Sequence, residues 1–199
     1  MSLSLTIFSL EPSQAEAYEA AFLRVMGQAA TRQIIVVPDS DPEDWTDVSG
    51  EPEHLLPEDL LEKAEPTLTL TWEAFGLSYL LERASSAAGK AAWEPGTLIE
   101  QVFGKELGSG LNPDDSIHNR VLLTSAETAE AAAFLGRFEP EALRAFFDST
   151  AMLQAQVQPK EGWQEAGRLE SLLAAFEQLK AFYEAAHFAG RSLVTELLV

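Results

Sequence analysis

The clearest hydrophobic pattern in the chain runs along residues 169–186. Apolar side chains recur there every three or four residues and so share one stripe of a helix: Leu169, Leu172, Leu173, Phe176, Leu179, Tyr183 and Ala186. Glu177 and Lys180 lie away from the stripe, at a spacing that favours an ion pair along the helix. Gly190 is placed to end the helix in a left-handed conformation, and the Leu- and Val-rich residues 192–199 predict a strand.

Shorter segments upstream alternate between strand and helix patterns. Residues 2–10, 33–37 and 120–123 are predicted to be strands, whereas residues 68–70 are too short for a secure assignment. Helices are predicted from capping boxes, from Pro140 and from helical spacing over residues 13–29, 71–83, 97–104, 124–135 and 140–147. This alternation favours an α/β fold over a helix bundle.

The C-terminal residues also carry a resemblance to a known family. The matching positions are Leu143, Arg144, Asp148, Met152, Val157, Pro159, Trp163, Leu172, Leu173, Phe176, Leu179, Phe182, Tyr183, Ala186, Gly190, Leu193 and Val194, with patches at residues 75–81 and 103–124. Over residues 67–199 the chain resembles the YfbM-like family, small soluble bacterial proteins grouped as a domain of unknown function. The resemblance implies a helix-rich α/β fold, with a small mixed sheet flanked by helices in a three-layer αβα sandwich. It implies no established activity.

Two family positions are candidates for a functional groove. Asp148 and Trp163 match the family pattern and could line it together. The alternative is that Asp148 caps a turn while Trp163 packs beneath it. Family members often carry an aromatic residue and histidines around the Gly-Leu patch, where this chain has Ala74, Phe75 and Ser78. No histidine site is therefore carried over to this chain.

Length and composition predict one domain over residues 1–199. The 199 residues with 46% apolar content are sufficient for a real core. The absence of cysteine excludes disulfides, thiol catalysis and cysteine-ligated metal centres. No basic residue precedes the first apolar run and no apolar run reaches the ~20 residues of a membrane span, so we expect a cytoplasmic protein.

The net charge restricts the class of partner. With 13 basic and 32 acidic residues the chain carries −19 at neutral pH, which disfavours nucleic acid and anionic membranes. A basic protein is an allowed partner, and solubility alone is the simpler explanation of the charge.

Much of this charge lies in a Pro-rich acidic loop at residues 38–66, where Lys63 is the only basic residue. Its candidate partner-binding residues are Asp39, Asp41, Glu43, Asp44, Trp45 and Asp47. An EF-hand beginning at Asp39 fails, because Asp44 and Gly50 occupy the positions that require Gly and Glu. An irregular cation site remains an alternative, and Trp45 is either folded back onto the core or presented to a partner.

A second candidate site is the loop at residues 112–119. Asp114, Asp115 and His118 could act there as a general base pair or as metal ligands. The alternative is ordinary turn chemistry, in which Asn and Asp side chains bond their own backbone. No dedicated metal site and no cofactor is predicted.

Three functions remain open from the sequence. The first is a non-enzymatic module whose acidic surface meets a basic protein, with neutralisation of a basic toxin by an immunity protein as a specific form. The second is an enzyme or small-molecule binder that uses the 112–119 loop. The third is a family scaffold whose acidic loop only confers solubility.

Overall fold

A computed structural model describes residues 4–26, 35–37, 61, 64–87, 102–103 and 118–198. Within these ranges, only the backbone is described for residues 21–26, 35–37, 118–120 and 198. The strands are β1 (Ser4–Leu10), β2 (Ile35–Val37), β3 (Thr67–Leu70), β4 (His118–Leu123) and β5 (Ser192–Leu198). The helices are α1 (Pro12–Met26), α2 (Trp72–Ala87), α3 (Ser125–Leu135), α4 (Pro140–Arg144), α5 (Ser149–Gln154) and α6 (Arg168–Phe188).

The described strands form one sheet in the order β2-β4-β5-β1-β3. Strand β5 is central and pairs with β1 along its whole length, from Ser4 opposite Leu198 to Leu10 opposite Ser192. On its other side β5 pairs with β4, while β2 and β3 occupy the two edges. Strands β1 and β5, the first and last described strands along the chain, are therefore neighbours near the centre of the sheet.

Alternate side chains of β1 enter two different cores, as the two-residue period of a strand requires. Leu5 and Ile7 belong to the larger core, which contains residues of helices α2 to α6. Phe8 and Leu10 lie with Tyr18 of α1 in a smaller core. Because the sheet is covered by helices on both faces, the three-layer arrangement is present in the structure.

Helix α6 supplies the apolar stripe that its sequence pattern predicted. Leu172, Phe176, Leu179 and Tyr183 are all fully buried in the larger core. Full burial of each such side chain contributes about 1.5–3 kcal/mol. The hydroxyl of Tyr183 donates to the carbonyl of Val102 at 3.3 Å, which ties the short helical segment 102–103 to α6.

The turn from α6 to β5 has the predicted left-handed stop. Gly190 has φ of 67°, and the Arg191 amide donates back to the carbonyl of Ala186. The Arg191 guanidinium then donates to the Glu65 carbonyl at 2.7 Å and pairs with the Glu11 carboxylate. This single arginine connects the end of α6 with the chain entering β3 and the start of α1.

The two clearest capping predictions have different outcomes. Thr124 and Glu127 form the reciprocal capping box at the start of α3, which is confirmed. Helix α1 begins one residue before the predicted Ser13 cap, because Pro12 fits its first turn and Gln14 accepts from the Glu11 amide.

The helix-rich α/β class and the small sheet are confirmed, whereas the strand orientation differs from the mixed sheet that was expected. All four pairings among the described strands are antiparallel. A parallel pair of strands needs a crossover connection, which is usually a single helix. The connection between β4 and β5 contains four helices, and these two strands lie antiparallel.

Candidate functional site

The structure describes three of the residues that the sequence proposed for a site. His118 is the first residue of β4, and its backbone pairs with Val37 of β2. Asp148 and Trp163 are described with their side chains. The other candidates lie outside the described residues: Asp39, Asp41, Glu43, Asp44, Trp45, Asp47, Asp114 and Asp115.

Asp148 caps a helix. Its Oδ1 atom accepts hydrogen bonds from the amides of Thr150 and Ala151, each at 3.0 Å, at the start of α5. These amides have no partner within the first turn of a helix, so a carboxylate placed there satisfies them. These contacts agree with the interpretation of the sequence in which Asp148 has a capping role.

Trp163 lies in the large core, with 1% of its surface exposed. Its Nε1 donates to the carbonyl of Val157 at 3.0 Å, and the Val157 amide donates to the carbonyl of Met152 in α5. Asp148 and Trp163 are thus linked indirectly, because one binds the backbone at the start of α5 and the other binds the backbone of the turn that follows α5. The structure uses both side chains to fix that turn on the core.

A cluster of Trp72, Trp163 and Arg168, here called the tryptophan cluster, surrounds this turn. The two indole rings meet edge to face with their centroids 5.6 Å apart. The Arg168 guanidinium carbon lies 4.3 Å from the centre of the Trp72 ring, a cation–π contact. Arg168 also donates to the Gly162 carbonyl at 3.1 Å and pairs with Glu165 at 2.9 Å.

Sequence reasoning did not find this cluster. Trp72 opens α2 and covers Trp163. The signal present in the sequence was Arg168, a residue type that is usually exposed, which lies shortly after Trp163 at the start of a predicted helix. Only the packing of α2 against α6 joins these distant segments.

Gly76 allows α2 to approach the cluster closely. A Cβ atom at this position would lie 2.6 Å from a methyl of Leu172 and 2.8 Å from the Trp163 ring. Both distances are shorter than side-chain carbons tolerate, so the absence of a side chain sets the spacing between α2 and α6. The Gly-Leu patch that carried the family resemblance has this packing role here.

Arg144, another family position, joins two helices by exposed ion pairs. It lies 2.8 Å from Glu141 in α4 and 3.2 Å from Glu170 in α6. The hydrogen bond and the charge of Arg144 lower the pKa of Glu141. The pKa of Glu170 is lowered first by a bond from its own backbone and then by Arg144. These carboxylates therefore remain charged at neutral pH.

Lys180 does not form the ion pair that the sequence predicted with Glu177. Its Nζ atom donates to the carbonyl of Phe138 at 3.3 Å and lies 3.8 Å from Glu139. The partly buried carbonyl is the better partner, because a salt bridge to an exposed carboxylate gains little in water. Within the described part of the chain, Glu177 and Glu184 have no cationic partner.

In the ranges that the structure covers, no three His, Asp or Glu side chains are grouped in a way that could hold a metal ion. The helices described there also lack the combination of length and apolar character that a membrane span requires.

The fold and these contacts define a small three-layer α/β protein with a packed tryptophan cluster. The chain belongs to the family described as "Domain of unknown function (DUF1877)", whose model matches residues 1–195. Its fold is similar to the crystal structure of YfbM from Escherichia coli, a protein of unknown function, with 13% identity, a TM-score of 0.56 and 100% of both chains covered. No curated protein matches the chain. The YfbM-like family predicted from the sequence is confirmed. The family match also covers the residues before position 67, where the sequence resemblance began.

Proposed function

We propose that this chain is a non-enzymatic cytoplasmic module whose acidic surface binds a basic protein. The net charge of −19 supplies the attraction, and it must be carried at the surface to act on a partner. Complementary charge of this kind raises the rate of association and selects among partners.

The observation that supports this proposal most directly is how the described cations are used. Arg144, Arg168 and Arg191 form ion pairs within the protein. Lys180 is bonded to a backbone carbonyl and Arg83 to the Tyr79 hydroxyl, so that among the described cationic side chains only the exposed Arg137 and Lys160 have no partner. In the described ranges the following surface carboxylates have no cationic partner: Glu16, Glu82, Glu130, Glu161, Glu177 and Glu184. The negative charge is therefore left free to face solvent.

The acidic loop at residues 38–66 is the second part of the proposed surface. Its partner-binding residues are Asp39, Asp41, Glu43, Asp44, Trp45 and Asp47, which combine carboxylates with one large aromatic side chain. Neutralisation of a basic toxin is a specific form of this function, and it is supported by the charge and small size of the chain.

The test is recovery of the tagged full-length chain from its native lysate at low and at moderate salt. We expect a stoichiometric basic protein at low salt and its loss as salt screens the surface charge. A loop variant carries Asp39→Asn, Asp41→Asn, Asp44→Asn and Asp47→Asn. Its control carries the same change of charge elsewhere through Glu16→Gln, Glu82→Gln, Glu130→Gln and Glu161→Gln.

The outcomes separate specific binding from bulk charge. Loss of the partner in the loop variant with retention in the control supports the proposal and assigns the loop. Equal loss in both variants reduces the effect to net charge, and recovery of a solitary protein at both salts overturns the proposal.

A further inference from the structure

The outward side of α6 is a continuous helix face that the rest of the described protein leaves uncovered. Its members, here called the α6 outer face, are the exposed Ala174, Glu177, Ala181, Ala185 and Phe188 and the half-buried Glu184. They recur at intervals of three and four residues, so they lie along one side of the helix. The buried stripe that holds α6 on the core lies on the opposite side.

Phe188 stands out on this face because it has 84% of its surface exposed. Among the described side chains it is the only large apolar one that is exposed to solvent. Burying a phenylalanine contributes about 1.5–3 kcal/mol, a gain that the protein alone does not take. Aromatic side chains are enriched at protein interfaces, so Phe188 is suited to enter an apolar pocket of a partner.

Glu177 and Glu184 give the face its charge. They are seven residues apart, which places them about 10 Å apart along the helix axis, or two turns. The cation between them in sequence, Lys180, is directed away to the carbonyl of Phe138. A partner with two basic side chains at the same two-turn spacing would match both carboxylates.

The three alanines of the face determine what shape of partner can reach those groups. Ala181 lies between the two glutamates and Ala185 between Glu184 and Phe188, while Ala174 precedes Glu177, and all three present only methyl groups. Helices pack with their axes about 8–10 Å apart, and the shorter distances need small side chains at the contact. The face is therefore shaped for another helix rather than for a small ligand.

Charge decides between two candidate helices. A second copy of this chain would place Glu177 and Glu184 against the same acidic face, and each molecule carries a net charge of −19. Like charges placed opposite one another disfavour that association. A helix with Lys or Arg on one side and an apolar side chain near one end satisfies both features of the face.

We propose that the α6 outer face is the docking surface for a basic amphipathic helix of the partner protein. Phe188 anchors the apolar side of that helix, and Glu177 and Glu184 bind its cations. This assignment rests on the proposed function, since it names the surface by which a basic partner is held.

The experiment uses the full chain and a fluorescent synthetic peptide of about 18 residues, or five helical turns. The peptide carries Lys on one side and Leu on the other, and anisotropy at low and moderate salt measures its affinity. A peptide of the same composition in scrambled order, without an amphipathic face, measures attraction by net charge alone.

Three variants locate the contact. Phe188→Ser should weaken binding about tenfold, the equivalent of about 1.4 kcal/mol, with an unchanged melting temperature because the side chain is exposed. Glu177→Gln with Glu184→Gln should weaken binding and flatten its salt dependence. Glu16→Gln with Glu82→Gln removes the same charge on α1 and α2 and should leave the affinity within about twofold of the parent chain.

The results distinguish this assignment from the broader function. Loss of affinity confined to the α6 variants supports the docking surface. Equal affinity for the amphipathic and scrambled peptides, or indifference to Phe188→Ser, overturns it. The recovery of a basic partner by the α6 variants from the lysate would then leave the proposed function standing with another surface responsible.

Discussion

Gly76→Ala is the substitution for which local and tertiary effects oppose each other most directly. Alanine stabilises a helix interior by about 0.8–1 kcal/mol relative to glycine, so propensity alone predicts a more stable protein. The added methyl, however, would lie 2.6 Å from Leu172 and 2.8 Å from Trp163. The structure therefore predicts the opposite sign.

The magnitude follows from what surrounds the new methyl. Leu172 is fully buried, and Trp163 is held by its bond to Val157 and by its contact with Trp72. Neither can move aside without disturbing other core contacts, and such overpacking costs about 1–3 kcal/mol. After subtraction of the propensity gain, we expect Gly76→Ala to lower the free energy of unfolding by up to about 2 kcal/mol.

Urea denaturation followed by circular dichroism measures this change, with the free energy taken from the midpoint and slope. A second background makes the reasoning sharper. Leu172→Ala removes the nearest methyls and should itself cost about 2–5 kcal/mol. Within that background Gly76→Ala should cost less than in the parent chain, since the contact with Leu172 is relieved and only the 2.8 Å contact with Trp163 remains.

The control is Ser86→Ala, at an exposed position of the same helix, for which we expect a change within about 0.5 kcal/mol. An increase in stability for Gly76→Ala in the parent chain would refute the close approach of α2 and α6. The same loss in both backgrounds would refute the assignment of the clash to Leu172.

Three further predictions concern single polar groups. Asp148→Ala removes the cap of α5 and should lower the free energy of unfolding by about 0.5–2 kcal/mol in urea, whereas Asp148→Asn should retain most of it. Arg191→Met removes the bond to the Glu65 carbonyl and the pair with Glu11, and should cost about 1–3 kcal/mol in the same assay. Burial raises the pKa of the Tyr183 hydroxyl well above its usual range. The stability that its neutral form supplies is complete below pH 10 and is lost as the unfolded chain ionises at higher pH, so urea midpoints should fall above about pH 10.

Each of these has a result that contradicts it. Unchanged stability of Asp148→Ala would mean that the cap contributes nothing, and equal losses for Ala and Asn would point away from capping. If Arg191→Met matched the parent chain, the guanidinium would not connect α6 with β3. For Tyr183, the decisive comparison is Tyr183→Phe, which should reduce the alkaline loss; an identical pH profile would assign that loss to other groups.

The parts of the fold that sequence reasoning predicted well depend on local information. The buried stripe of α6, the stop at Gly190 and the capping box at Thr124 all lie within a few residues of the signals that identify them. The structure places each of them as expected. The family resemblance likewise rested on residues in this region.

The parts that were missed depend on contacts between distant segments. The partner of Lys180 is a carbonyl more than forty residues away in sequence, at Phe138, and no periodicity within α6 indicates it. The tryptophan cluster requires α2 and α6 to pack together before Trp72 can cover Trp163. The arrangement of the sheet is likewise non-local, because three of the four pairings among the described strands join strands that are not consecutive in the chain.

The pairing of β1 with β5 has a consequence for how the chain acquires its structure. Residues 4 and 198 are opposite one another, so the centre of the sheet is closed by one of the longest sequence separations available. Contacts of that kind slow folding, because a long loop must be ordered before any pairing is gained. During synthesis β1 emerges before the other strands of this sheet and has only the edge strand β3 to pair with until α6 and β5 are delivered. The nascent chain consequently presents an apolar, half-paired strand for most of its translation, and a chaperone that covers it would act on β1.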